Sequence, residues 1–375
     1  MGSFLAVEML KREESLILIA RDEDEGAATD RVVKKLKIVS GEKKDFDGEF
    51  QVIVADISQS GLGIKQNDLA LFQDVSAIWH CAALSQFNGK FQSAIRQTNV
   101  EGTRNVLEFA RKIGAERFHY VSSAYVCGNR QGTVFENELN AGQTFKNTYE
   151  ESKFEAEKLV KESGLQTTIY RPSIVVGSSK NGITTNFTGF NYLAKSFYRL
   201  KERLLHLLKK EPNEFGGSGI VQTESGLFLP IRIPCSENGT VNLVCVDYVV
   251  ETMLMLAEKS DSVGKVFHVT NQTPPKGRDL FTMSGNILGI TDLSFANNRE
   301  EVLSNPQKNE MLRKYEELFI KEIDPYINYL SSEPFFDNSN VREILGVEYK
   351  PHEMINENLL KMLLDYGIAR NWHSE

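Results

Sequence analysis

The sequence predicts an α/β fold: a doubly wound parallel sheet with a smaller, mostly helical cap. Three observations point to it. Between residues 15 and 177, short apolar runs alternate with amphipathic segments, the rhythm of βαβ units. The rhythm breaks after Gly177 into a Gly/Asn/Thr-rich stretch, and residues 276–375 are largely charged and helical in pattern. The 375 residues suffice for one large core with such a cap. Right-handed crossovers between parallel strands then place helices on both faces of the sheet.

The elements follow in order. "MGSFLAVEML" (1–10) has the apolar spacing of a buried helix, with no strand and no polar cap before it. Strands are expected at 15–22, 50–58, 75–83, 117–128 and 166–177, and helices at 29–39, 99–114 and 149–164. A helix near 190–210 opens the cap. "VNLVCVDYVVETMLMLAEK" (241–259) returns to strand then helix, and "KVFHVTN" (265–271) is a further strand. The expected division is a core over 1–271, interrupted by a cap insertion at 178–240, then a helical part at 272–375 that contributes to substrate binding.

Composition excludes several classes. A net charge of −8 disfavours nucleic acid, whose phosphates attract basic surfaces. No apolar run reaches the roughly 18 residues of a membrane span, and no secretory signal pattern opens the chain. The four cysteines (Cys81, Cys127, Cys235 and Cys245) lie far apart without metal-ligand spacing. They read as the reduced thiols of a cytoplasmic protein, with no metal.

The chemistry gathers at three strand ends. "NTYEESK" sets Tyr149 and Lys153 four apart at a helix start, on one face with Cβ atoms about 5–6 Å apart. An adjacent ammonium favours phenolate and lowers the tyrosine pKa toward working pH. "YVSSAYVCG" ends a strand in Ser122 and Ser123, where a parallel sheet binds ligands. "IYRPSIVVG" ends regular pairing at Arg171-Pro172.

Ser, Tyr/Lys and Arg-Pro in successive units resemble the extended short-chain dehydrogenase/reductase superfamily, from residue 1 to about 271. The resemblance implies a Rossmann-like core. It makes Ser123 the catalytic serine, Tyr149 the proton donor, and Lys153 the residue that lowers the tyrosine pKa and holds the nicotinamide ribose. It places Ala82 and Ala83 of "HCAA" along the cofactor, Asn99 of "TNVEGT" as a structural and proton-relay residue, and Asp56 of "ADIS" facing adenine. In that family a first strand and a Gly-x-x-Gly-x-x-Gly loop precede a helix like "SFLAVEML". Gly2 then matches the third glycine, which allows close helix–strand packing. On this reading the first strand and the two pyrophosphate-contacting glycines are missing from the sequence. A truncated chain or a misplaced initiator methionine is expected, and a gap at the centre of the sheet with it.

Cofactor choice rests on Arg21, at the end of the second strand. An arginine there accommodates the 2′-phosphate of NADP, and an acidic residue selects NAD. Arg31 can fork the same phosphate, while Asp22 is the competing acidic candidate; NADP is favoured over NAD. The finer resemblance, carried by "VSSAYVCG", "NTYEESKFEAEKLV", "IYRPSIVVGSSKNG" and "EPFFDNSNVREILG", is to the thioester reductase and fatty acyl-CoA reductase branch. It implies reduction of a thioester on coenzyme A, or on an acyl carrier protein acting in trans, to aldehyde or alcohol. The alternatives are a nucleotide-sugar epimerase/dehydratase or hydroxysteroid-type dehydrogenase on the same scaffold, and a non-catalytic dinucleotide-binding protein. The basic segment at 193–210 reads either as a lid over an acyl chain or as an ordinary amphipathic helix with a solvated face.

Overall fold

Parallel pairing requires a crossover between successive strands, and the chain supplies one each time. The computed structural model describes residues 1–41, 46, 48–87, 89–304, 309–331 and 333–373. Helix α1 (Gly2–Lys11) is followed by β1 (Leu16–Ala20), α2 (Glu25–Ser40), β2 (Phe50–Val54) and β3 (Ala77–His80). Then come α3 (Gly102–Ile113), β4 (Arg117–Val121), α4 (Thr148–Lys161), β5 (Thr167–Pro172) and β6 (Ile174–Val176). The cap helix α5 (Phe190–Lys210) precedes β7 (Leu243–Cys245), α6 (Val246–Ala257) and β8 (Val266–Val269), and α7 (Glu310–Ser331) and α8 (Glu357–Ala369) lie in the C-terminal part.

Local chemistry sets the helix ends. Asp24 caps α2 by accepting from the Ala27 N–H, and Gly41 closes it in the left-handed region. Asn147 caps α4 through the Glu150 N–H, and Gly114 closes α3. A residue after β4 is also forced to be glycine. Gly128 has φ +59°, and a Cβ there would fall 2.2 Å from the Thr144 carbonyl oxygen.

The strands run in the order β8-β5-β4-β3, all parallel, with β1-β2 a separate parallel pair. Among the described residues no strand lies between β1 and β3. A cavity of about 910 Å³ takes that place, with β1 on one wall and residues 77–81 on the other. Pairing of β5 with β8 continues through Pro172, and the chain then steps across to pair β6 with β7.

Helix α1 holds the edge of this gap by its apolar side chains. Phe4, Leu5 and Met9 pack with Val249, Val250 and Met253 of α6, while Ala6, Val7 and Leu10 pack with Leu36 of α2. On the other side, Val106, Leu107, Phe109 and Ala110 of α3 pack with Phe118, Tyr120 and Ile169 of the sheet.

Residues after Gly177 and residues of the C-terminal part share one core, in which Phe197 of α5 meets Phe281 edge-on and lies against Phe319 of α7. Helix α5 shows why its segment is basic. Lys195 donates to the Trp372 carbonyl (3.0 Å) and Lys201 to the Leu288 carbonyl (2.6 Å), Leu204 is buried, and Arg199, Arg203, Lys209 and Lys210 are exposed. It is an amphipathic cap helix with a solvated basic face. Among the described residues no helix is long and apolar enough to cross a membrane.

Candidate active site

The site forms where β4, β5 and α4 meet. Serines 122 and 123 leave the end of β4 with different duties. Ser122 donates to Glu157 Oε2 (2.6 Å) inside the protein. The Ser123 hydroxyl accepts from the Tyr125 N–H (3.2 Å) and lies near enough to the Tyr149 phenol to lower its pKa. Geometry thus leaves Ser123, not Ser122, beside the tyrosine.

Tyr149 is the second residue of α4. Burial pushes its phenol up to about 12; Ser123 pulls it back, and nearby Glu150 pushes it further up. The lysine does not act as its spacing predicts. Lys153 donates to the Val121 carbonyl (2.6 Å) and stands 4.3 Å from the Tyr120 ring centre. Burial pushes its ammonium down to about 7, against the pull of Glu157 and Cys81. Stacking at i, i+4 brings Cβ atoms together, but a buried ammonium goes to the strongest acceptor in reach, here the carbonyl ending β4. The expected depression of the tyrosine pKa by Lys153 is therefore corrected: Tyr149 stays protonated well above neutrality.

The remaining expected residues are spread along the sheet's C-terminal edge. Asn99 is buried in a π-helical turn (Gln97–Glu101). Its side chain accepts from the Leu84 N–H (2.7 Å) and donates to the Leu84 carbonyl (3.2 Å) and to Ser152 Oγ (2.9 Å). These bonds clamp the segment after β3 to α4. Ala82 and Ala83, in that segment, are exposed. Asp56 accepts from the Ser58 N–H (2.9 Å) and hydroxyl (2.7 Å), which hold its carboxyl low.

Arg21 is exposed. Arg31 donates to Asp22 Oδ2 (2.8 Å) and to the Arg21 carbonyl. Asp22 is thus engaged by Arg31. Gly2 lines the central cavity together with Cys81 and Ala82. A Cβ on Gly2 would lie 3.8 Å from Cys81 Cβ, an ordinary contact. The close packing expected to demand glycine there is absent, because no strand fills the place beside it.

Several residues were not singled out from sequence. Glu157 forks Arg171 (2.6 and 3.0 Å), both fully buried, and Arg171 also binds the Glu138 carbonyl (2.8 Å) and His268 Nε2 (3.2 Å). The available signal was Glu157 one turn beyond Lys153 on the same helix. From α7, Tyr326 and Tyr329 lie against Phe87, which lies against Tyr149. Tyr125 donates to Glu333, whose carboxyl is pushed by burial up to about 7. No local pattern marks contacts between residues roughly 210–240 positions apart. Among the described residues no cluster has the makings of a metal site.

A nonribosomal peptide synthetase of Aspergillus hancockii is 24% identical over 390 residues, covering 97% of this chain and 35% of that protein. A probable fatty acyl-CoA reductase of Arabidopsis thaliana is 33% identical over 95 residues, covering 24% of this chain and 19% of that protein. The chain thus spans about a third or less of these relatives' length. Among solved structures, the terminal R domain of the myxalamid PKS-NRPS biosynthetic pathway aligns with TM-score 0.77 at 21% identity, covering 99% of this chain and 89% of that one; the two share the fold. The family model described as male sterility protein, an NAD-binding family, matches residues 1–253, and the chain belongs to that family.

Proposed function

We propose that this chain is an NADPH-dependent reductase of acyl thioesters, presented on coenzyme A or on a carrier protein in trans, with an aldehyde or alcohol as product. The observation that carries the reading is Ser123 beside the Tyr149 phenol at the end of a parallel sheet, with Lys153 buried one helical turn along. A cytoplasmic setting, read from four separate free thiols, belongs to the same proposal.

The residues fit the two ends of the cofactor. Lys153 has three N–H donors, and among the described residues its side-chain hydrogen bond goes to Val121 alone, leaving donors for ribose hydroxyls. Arg21 is exposed, and Asp22 is already engaged by Arg31. That arrangement supports recognition of the 2′-phosphate of NADPH over an NAD ribose. Asp56 borders the adenine end. For the pyrophosphate, which needs backbone N–H donors at a helix start, the described residues offer the start of α1 at Gly2. When bound, the cofactor supplies the hydride to the thioester carbonyl carbon.

The chain's own residues manage the oxygen and the sulfur. Ser123 and Tyr149 donate hydrogen bonds to the carbonyl oxygen as negative charge grows on it. With its phenol held near 12, Tyr149 is protonated at neutral pH and ready to donate. Tyr149 gives its proton to that oxygen; as the carbon–oxygen double bond re-forms and the carbon–sulfur bond breaks, the proton passes to the sulfur, which leaves as thiol, and Tyr149 takes a replacement proton from solvent. Removing water from the site strengthens both hydrogen bonds; Phe87 lies against Tyr149 and is itself backed by Tyr326 and Tyr329, an apolar wall on that side.

The test is turnover of NADPH with acyl-CoA and carrier-bound acyl thioesters, reading nicotinamide absorbance, free thiol and trapped aldehyde together. One NADPH oxidised per thiol released, with an equal amount of trapped aldehyde, or two per thiol with alcohol formed instead, supports the proposal. Cofactor binding without thiol release from any thioester points instead to a non-catalytic dinucleotide-binding protein.

A further inference from the structure

We propose that Tyr329, on helix α7 beyond the span of the family match, is a positioning residue that fixes the start of the helix carrying Tyr149. The inference rests on the reading of Tyr149 as proton donor. Its physical content is a three-part clamp on the first turn of α4. Asn147 caps the helix by accepting from the Glu150 N–H (3.0 Å), and Glu150 reaches back to accept from the Lys146 N–H (2.9 Å). This is the reciprocal logic of a capping box, shifted one residue outward.

Tyr329 closes the arrangement from 180 residues away. Its hydroxyl donates to Glu150 Oε1 (2.5 Å) and accepts from Asn147 Nδ2 (2.8 Å), so one phenol holds both capping side chains. The Tyr329 ring is held in turn. It lies on Phe87, meets Tyr125 edge-on at 5.2 Å, and has the Lys146 ammonium 4.5 Å from its centre. Glu150 is fully buried, so its carboxylate depends on these donors.

Tyr149 lies between Asn147 and Glu150 in sequence. Any loosening of that turn moves its phenol relative to Ser123. A nucleophilic or acid group displaced by even 1 Å loses much of its effectiveness. The C-terminal part therefore does more than cover substrate: through one hydroxyl it sets the geometry of a residue in the core.

The test uses Tyr329→Phe and Glu150→Gln, singly and together, in the full chain. Phenylalanine keeps the ring contacts and removes only the hydroxyl. Tyr329→Phe is expected to lower kcat about tenfold, leave thioester KM and NADPH affinity unchanged, and speed amide exchange in the segment 146–153. Because the hydroxyl acts through Glu150, the double variant should be no slower than the slower single one. A wild-type kcat with wild-type exchange in Tyr329→Phe, or fully additive losses in the double variant, would overturn the inference. A wild-type protein that reduces no thioester counts against the proposed function; the exchange measurement then decides the clamp alone.

Discussion

Replacing Arg171 by methionine should cost about 3–5 kcal/mol of stability, the usual penalty for removing one partner of a buried ion pair. The structure shows where the cost arises. Arg171 and Glu157 have no solvent exposure, and two N–H groups of Arg171 reach the two Glu157 oxygens at 2.6 and 3.0 Å. Charge-assisted hydrogen bonds are worth about 1.5–3 kcal/mol each, so two lost bonds give a similar figure. Glu157 keeps the Ser122 hydroxyl (2.6 Å) and a distant Lys161 ammonium (4.0 Å), which sets the cost toward the lower end. Two backbone carbonyls, those of Glu136 and Glu138, also lose a donor. Thermal unfolding should show the midpoint lowered by about 5–10 °C. Adding Glu157→Leu should recover most of the loss, since an apolar pair of similar volume replaces a buried ion pair at little cost. A midpoint for Arg171→Met within a degree of wild type, or a double variant less stable than the single, would refute the reasoning.

Other consequences are as direct. Arg21→Ala should weaken NADPH by about ten- to hundredfold, the equivalent of one charge-assisted contact, and leave NADH nearly unchanged; equal losses in titration calorimetry would remove Arg21 from phosphate recognition. Glu333 is raised from its ordinary 4.5 to about 7 by burial, so the folded state binds the extra proton between those values and stability falls as pH rises through that window. Glu333→Gln should flatten the slope of stability against pH from about 4.5 to 7, and only in part, because burial raises Glu136 to about 7 as well; an unchanged slope would contradict this.

How much of this was legible in the sequence follows from the range of the forces involved. The βαβ rhythm was readable because each strand and helix announces itself by local periodicity. Ser123 and Tyr149 came together because each sits at a fixed offset from a strand end or helix start. The behaviour of Lys153 was not readable. Its spacing from Tyr149 fixes where the side chain begins, while burial and the Val121 carbonyl decide where the ammonium ends. Tyr329, Glu333 and Phe87 were invisible for a related reason, since tertiary contacts alone bring α7 against α4. For the segment at 193–210, the amphipathic-helix reading was legible from its leucine spacing, but not that Lys195 and Lys201 would be spent on carbonyl groups.

The central claim is that Tyr149 gives the proton on which thioester reduction depends. Its most direct measurement is the single-turnover rate of thiol release for Tyr149→Phe, with NADPH affinity and thermal midpoint recorded beside it. The account predicts a loss of about 10²–10⁴ in rate, the scale of general acid catalysis, with binding and folding unchanged. A phenylalanine variant that releases thiol at the wild-type rate would contradict it.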